Sequence, residues 1–162
     1  MTDRNRPDVS TAARIVADAD VLATDLLVGD HSRDALDLVR EHDWVTLVAS
    51  EPLLDDATTV IEELSSGSLA RDWRAIITDD LEIVTHPAGD HPALAAALQG
   101  NAGHLLSLDD RLTSAVANRT LQSRMTVSVR TPTAFVRLFD PAPLYESIFD
   151  DPYPGPDADP RA

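Results

Sequence analysis

Four short apolar runs each deliver an aspartate where a strand should end or a helix begin: Asp18 in RIVADADVL, Asp56 in LVASEPLLDDA, Asp90 in PAGDHPALAAAL and Asp109 in HLLSLDDRL. Acidic side chains gathered at one end of a parallel sheet repel each other and are costly to desolvate, unless a hard divalent cation takes their oxygens as ligands. The four aspartates therefore outline a carboxylate metal site, an arrangement suited to hydrolysing phosphodiesters.

Each of these residues also has a plainer use. Asp18 interrupts the end of an apolar strand, an expensive place for a charge without a partner. Asp20 either orients Asp18, reaches a metal through water, or faces solvent. Asp56 lies in the first turns of a helix, where any acid gains from the helix dipole. Asp90 and Asp109 both stand where an aspartate commonly caps a helix, although the position of Asp109 after LLSL aims it at the strand ends. Asp110 is the alternative if the register is shifted by one residue. Ser50 and Ser107 suit hydrogen bonds to carboxylates or helix caps better than nucleophilic attack, because the chain has no Gly-x-Ser-x-Gly elbow. Histidines 31, 42, 86, 91 and 104 show no zinc-binding spacing, and there is no cysteine to help them. The chain also lacks a G-x-G-x-x-G or Walker loop, which sets aside the usual dinucleotide and nucleoside triphosphate readings.

The elements that must position these side chains alternate between strand-like and helix-like periodicity. Arg14 to Leu22 reads as a strand, and Ser32 to Glu41 as a helix with Ser32 as its cap and Ala35, Leu36, Leu38 and Val39 on its apolar face. Val45 to Ala49 reads as a buried parallel strand, and Pro52 suits the first turn of a helix that runs to about Leu64. After the break at SSGS come a helix over Leu69 to Ile77, a strand over Leu81 to Val84, and a short helix opened by Asp90 and ended by Gly100. His104 to Leu108 is the fourth strand, Arg111 to about Asn118 a helix, Val127 to Val129 the fifth strand, and Pro132 to Phe139 the last helix. This alternation predicts a three-layer α/β/α sandwich with a central parallel sheet of about five strands. Ligands of such sheets bind beyond the carboxyl ends of the strands.

The 162 residues, 43% of them hydrophobic, suffice for one domain, expected over 12–139. Residues 1–11 read as a flexible leader and 140–162 as an acidic Pro/Asp-rich tail. Within that tail, Leu144, Tyr145, Ile148 and Phe149 have the spacing of a short helix that docks on the domain, the blander reading, or on a partner. No apolar stretch approaches the roughly 18 residues of a membrane span, and no apolar signal core is present, so a cytoplasmic protein is expected. The 28 acidic residues face 13 basic ones, all arginine, for a formal charge of −15. A salt-filled, halophilic cytoplasm accounts for this surface, since at about 1 M salt the Debye length is only about 3 Å and self-repulsion is screened. Binding to nucleic acid would then be local, through metal and a few arginines, rather than through a basic surface.

Over Arg14 to Phe139 these motifs, in their order, resemble those of a PIN domain, in particular toxins of toxin–antitoxin pairs. RIVADADVL resembles that family's first strand, with Asp18 as the first carboxylate and Asp20 as its companion. VASEPLLDDA resembles the segment in which a serine or threonine precedes an acid-bearing helix, Asp56 standing where glutamate is usual. GDHPALAAAL places Asp90 at the third motif. LLSLDDRL places Ser107, Leu108 and Asp109 at a Thr-Gly-Asp strand end, and RTPTAFVRLF resembles the closing Pro-x-x-Phe helix. The resemblance implies a Mg²⁺- or Mn²⁺-dependent endoribonuclease. Asp18, Asp90 and Asp109 would hold the metal, Asp56 would complete the site or accept a proton, and Arg111 would contact substrate phosphate or pair with Asp110 or another surface acid. It further implies RNA as substrate, an antitoxin protein that shields the cleft, and paired subunits. The alternatives are a non-catalytic scaffold that binds protein or RNA, and a nuclease acting on DNA flaps.

Overall fold

A computed structural model of the chain describes residues 9–87, 91–113 and 127–160. Five parallel strands form one sheet: β1 Arg14–Ala17, β2 Thr46–Ser50, β3 Leu81–Val84, β4 His104–Leu106 and β5 Ser128–Arg130. Their spatial order is β3-β2-β1-β4-β5. The chain thus runs outward from β1 to one edge and then crosses back to build the other, which makes β1 the centre and creates a topological switch beside it. Ile15, Val16 and Ala17 are fully buried, as a strand covered on both faces requires. The expected α/β/α sandwich is present.

The described helices are α1 Ala19–Leu27, α2 Asp30–Arg40, α3 Glu51–Leu64, α4 Gly67–Thr78, α5 Pro92–Gln99, α6 Asp110–Thr113, α7 Pro132–Leu138 and α8 Pro141–Phe149, with a 3-10 turn over Val9–Ala13 before β1. Helix α5 lies against β1, β2 and β4. Its alanines 93, 95, 96 and 97 are buried and let the helix approach closely. Gly100 completes that approach, because a Cβ there would stand 2.5 Å from Val48 Cγ1.

The expected strand over Arg14 to Leu22 is only partly correct. It ends at Ala17, because Asp18 caps a helix whose apolar residues Val21 and Leu22 then face the core. Likewise Ser32 does not cap α2. It is buried inside the helix, and Gly29, at φ 87°, occupies the cap position. A side-chain cap contributes about 1 kcal/mol, whereas the glycine contributes a left-handed turn that other residues enter at a cost.

The C-terminal segment returns to the domain. Tyr145 and Phe149 of α8 meet the Trp44 ring edge-on, Tyr153 hydrogen-bonds His42, and the backbone N–H groups of Asp157 and Ala158 donate to the Glu41 carbonyl. Among the described residues, no helix is long and apolar enough to cross a membrane.

Candidate functional site

The strand register builds a polar row at the carboxyl end of the sheet. Val16 pairs with Val48 and Ala17 with Leu106, so continuing these registers, by two residues and by one, sets Asp18 between Ser50 on one side and Ser107 on the other. Asp18 is buried, 9% exposed, at the centre of this row. Its Oδ1 accepts the Ala19 N–H at 2.8 Å and its Oδ2 accepts the Ser107 hydroxyl at 2.9 Å. Ser107 Oγ in turn accepts the Asp109 N–H at 3.0 Å. One serine therefore couples the end of β1 to the backbone of Asp109 just past β4.

Asp20, in the first turn of α1, accepts the Val21 N–H at 2.7 Å. Burial and then the negative charge of Asp18 push its pKa up to about 6; Asp109 adds to the rise, while the N–H groups of Val21 and Leu108 oppose it. Asp109 is shifted the other way. Arg111 donates to it through Nε at 3.2 Å, Nη2 at 3.1 Å and its backbone N–H at 2.9 Å, and this holds the carboxyl below its ordinary range. Arg111 thus pairs with Asp109 and not with Asp110, which is exposed at the start of α6.

Two histidines that spacing arguments discounted stand at the same edge. His86, just past β3, places Nε2 2.8 Å from Ser50 Oγ, while Ser50 also caps α3. His91, the N-cap residue of α5, has Nε2 4.0 Å from Asp18 Oδ2. Their legible signal was location after a strand or before a helix, not histidine spacing. Asp56 is exposed on α3, and the ion pairs of that helix are made by Glu51 and Asp55 with Arg74. Asp90 lies outside the described residues. The structure thus brings together Asp18, Asp20, Ser107, Asp109 and Arg111, and leaves Asp56 and Asp110 on the surface.

The donors of Asp18, Asp20 and Asp109 are all carboxylate oxygens, the type that Mg²⁺ and Mn²⁺ take. Among the described residues no group of three or more His, Asp or Glu is gathered closely enough to hold an ion alone. Mg²⁺ also binds through one or two carboxylates, with water and substrate phosphate completing its shell, and only that mode would suit Asp18 and Asp109. Two cavities, of about 450 and 490 Å³, lie elsewhere, by the amino ends of β2 and β3. The charges lining them include Asp25, Asp37 and Arg40, which are already paired.

Fold and edge together define a parallel α/β protein with an acidic, serine-buttressed site at its topological switch. By sequence the chain belongs to the family described as a family of unknown function, DUF7384, whose model matches residues 9–161. Neither a curated protein nor a solved structure matches it. This corrects the PIN resemblance, since the family that the chain matches is a different one. The physical reason is that any parallel α/β sheet puts polar residues at strand ends and acids at helix starts in a repeating order. A chain with 28 acidic residues fills that order with aspartates irrespective of family.

Proposed function

We propose that the carboxyl edge of the sheet hydrolyses phosphodiesters, with RNA as the substrate class, using Mg²⁺ or Mn²⁺ bound by Asp18 together with Asp109. The observation that carries this reading is the buried Asp18, at the switch point and engaged by a hydroxyl and a backbone N–H, with His91 at 4.0 Å and no arginine as partner. The bound ion would supply a water activated for attack and would offset the charge of the scissile phosphate.

The residues of the chain do the positioning. Ser107 fixes the carboxylate of Asp18 and the backbone of Asp109. Asp20 crowds a third carboxylate against them, so the edge favours a cation. The amino ends of α1 and α3, capped by Asp18 and Ser50, face the same edge and favour a phosphate there. Asp90 belongs to the proposed ligand set from its place in the sequence, whereas Asp56, exposed on α3, has no part in it. Activity in a cytoplasm rich in salt accords with the charge of −15.

A second reading, a non-catalytic scaffold for a protein or RNA partner, is favoured by one feature: Arg111 occupies both oxygens of Asp109. Incubating labelled structured RNA and flap DNA with the protein in multimolar KCl, with Mn²⁺ or Mg²⁺, separates these readings. Metal-dependent RNA cutting that Asp18→Asn and Asp109→Asn both abolish is the expected result. Cutting of DNA alone moves the substrate class, and RNA binding without cutting establishes the scaffold.

A further inference from the structure

We propose that Arg161, the residue that follows the last one described, docks in the paired cavities at the amino ends of β2 and β3 and fastens the C-terminal segment across them. This site is separate from the carboxyl edge and does not rest on the function proposed for it.

The route of the chain is the first reason. Asp157 accepts the Asp43 N–H at 2.7 Å, and the N–H groups of Asp157 and Ala158 donate to the Glu41 carbonyl. Ala158, Asp159 and Pro160 then line the cavity of about 450 Å³, and Pro160 also lines its neighbour of about 490 Å³. One residue advances a chain by at most about 3.6 Å, so Arg161 begins within a single step of both cavities. The family model runs through this residue, matching 9–161.

The walls are the second reason. The larger cavity offers Leu26, Trp73 and Ile76 together with Asp72 and Asp80, and Asp80 borders the smaller cavity as well. An arginine fits this mixture, because its apolar stem lies along hydrophobic side chains while its guanidinium reaches acids at the rim. Ile76 is 70% exposed, and the stem would cover it. Asp25 and Asp37 on the same wall are held by Arg40, whereas Asp72 and Asp80 make no ion pair among the described residues. The acids to which the incoming cation is complementary are thus Asp72 and Asp80.

Labelling of arginines by phenylglyoxal in multimolar KCl, read residue by residue by mass spectrometry of the digested full chain, tests the docking. Arg137, exposed on α7, is the reference. Arg161 of the wild type is expected to react about fivefold more slowly than Arg137, the upper range for an exposed ion pair. Replacing both acids, Asp72→Asn with Asp80→Asn, should bring Arg161 to the rate of Arg137 while Arg40 keeps its wild-type rate; both acids are exposed, so the fold should persist. Asp79→Asn, exposed beside Asp80 but outside both cavities, should leave Arg161 slow. Arg161 as fast as Arg137 in the wild type, protection that the double variant leaves unchanged, or protection lost in Asp79→Asn overturns the inference. Protection lost on dilution would mean that a second copy supplies the arginine, and overturns docking within one chain.

Discussion

At the amino ends of the strands, acids meet arginines: Asp25 and Asp37 share Arg40, and Glu82 pairs with Arg14. At the carboxyl ends Asp18 and Asp20 meet hydroxyl and backbone N–H donors, and Asp109 meets an arginine that lies almost wholly in solvent. The first arrangement neutralises each acid with an arginine, within the protein at Asp25 and at its surface at Glu82. The second satisfies the hydrogen bonds of the carboxylates while leaving most of their charge in place, which is the basis of the proposed cation site. The carboxyl end is not without arginines, since Glu51 and Asp55 of α3 pair with Arg74, but Asp18 and Asp20 at its centre have none.

The largest expected effect breaks the carboxyl end. Asp18→Asn keeps a good helix cap, so the fold should persist, while metal-dependent RNA cleavage should drop by more than about 100-fold, because even residues behind a metal ligand are worth 10–100-fold. Cleavage rate and melting temperature measured on the same preparation check both halves. The opposite end should respond in the opposite sense. Asp25→Ala leaves the partly buried Arg40 with Asp37 alone and should cost about 2 kcal/mol of stability, read by denaturant unfolding, with cleavage per folded molecule unchanged.

Acidity sharpens the contrast further. His104, at the start of β4, has its pKa pushed down to about 4 by burial and then by Arg130. Unfolded, it takes up a proton near 6.5, so protons favour the unfolded chain and stability falls as pH drops from about 6.5 towards 4. Between pH 7 and pH 5 this amounts to about 2 kcal/mol, and His104→Gln should flatten that part of the stability profile.

Asp20 works in the other direction and more weakly. Its folded pKa of about 6 lies above the unfolded value of 3.8, so its contribution is fully present below about 3.8 and is lost as pH rises through 6. Asp20→Asn should therefore raise the melting temperature at pH 8 by about 2–4 °C, on the order of 1 kcal/mol after allowing for its partial exposure. The gain should vanish towards pH 4. Equal responses of the two variants to pH would erase the distinction between the ends.

Much of the fold was legible because local signals agreed with one another. The strand Leu81–Val84 and the end of α3 at Leu64 fall where periodicity and the SSGS break place them. Arg14 to Leu22 was misread as one strand because apolar Val21 and Leu22 suit either a strand or a buried helix face, and only the Asp18 cap decides between them. The candidate site was legible as a set of residue types at strand ends, but not as contacts. The Ser107–Asp18 bond joins residues 89 apart in sequence, and the His42–Tyr153 bond that ties down the C-terminal segment joins residues 111 apart. Asp56 was placed at the site by motif order alone, and its side chain is on the surface of α3.

The most direct test of the central claim is anomalous scattering from crystals soaked in MnCl₂. A Mn²⁺ peak within about 2–2.3 Å of carboxylate oxygens of Asp18 and Asp109 is the result expected of a metal site at the carboxyl end of the sheet. A map without a peak there, in crystals grown at a salt concentration that keeps the protein folded, would contradict it.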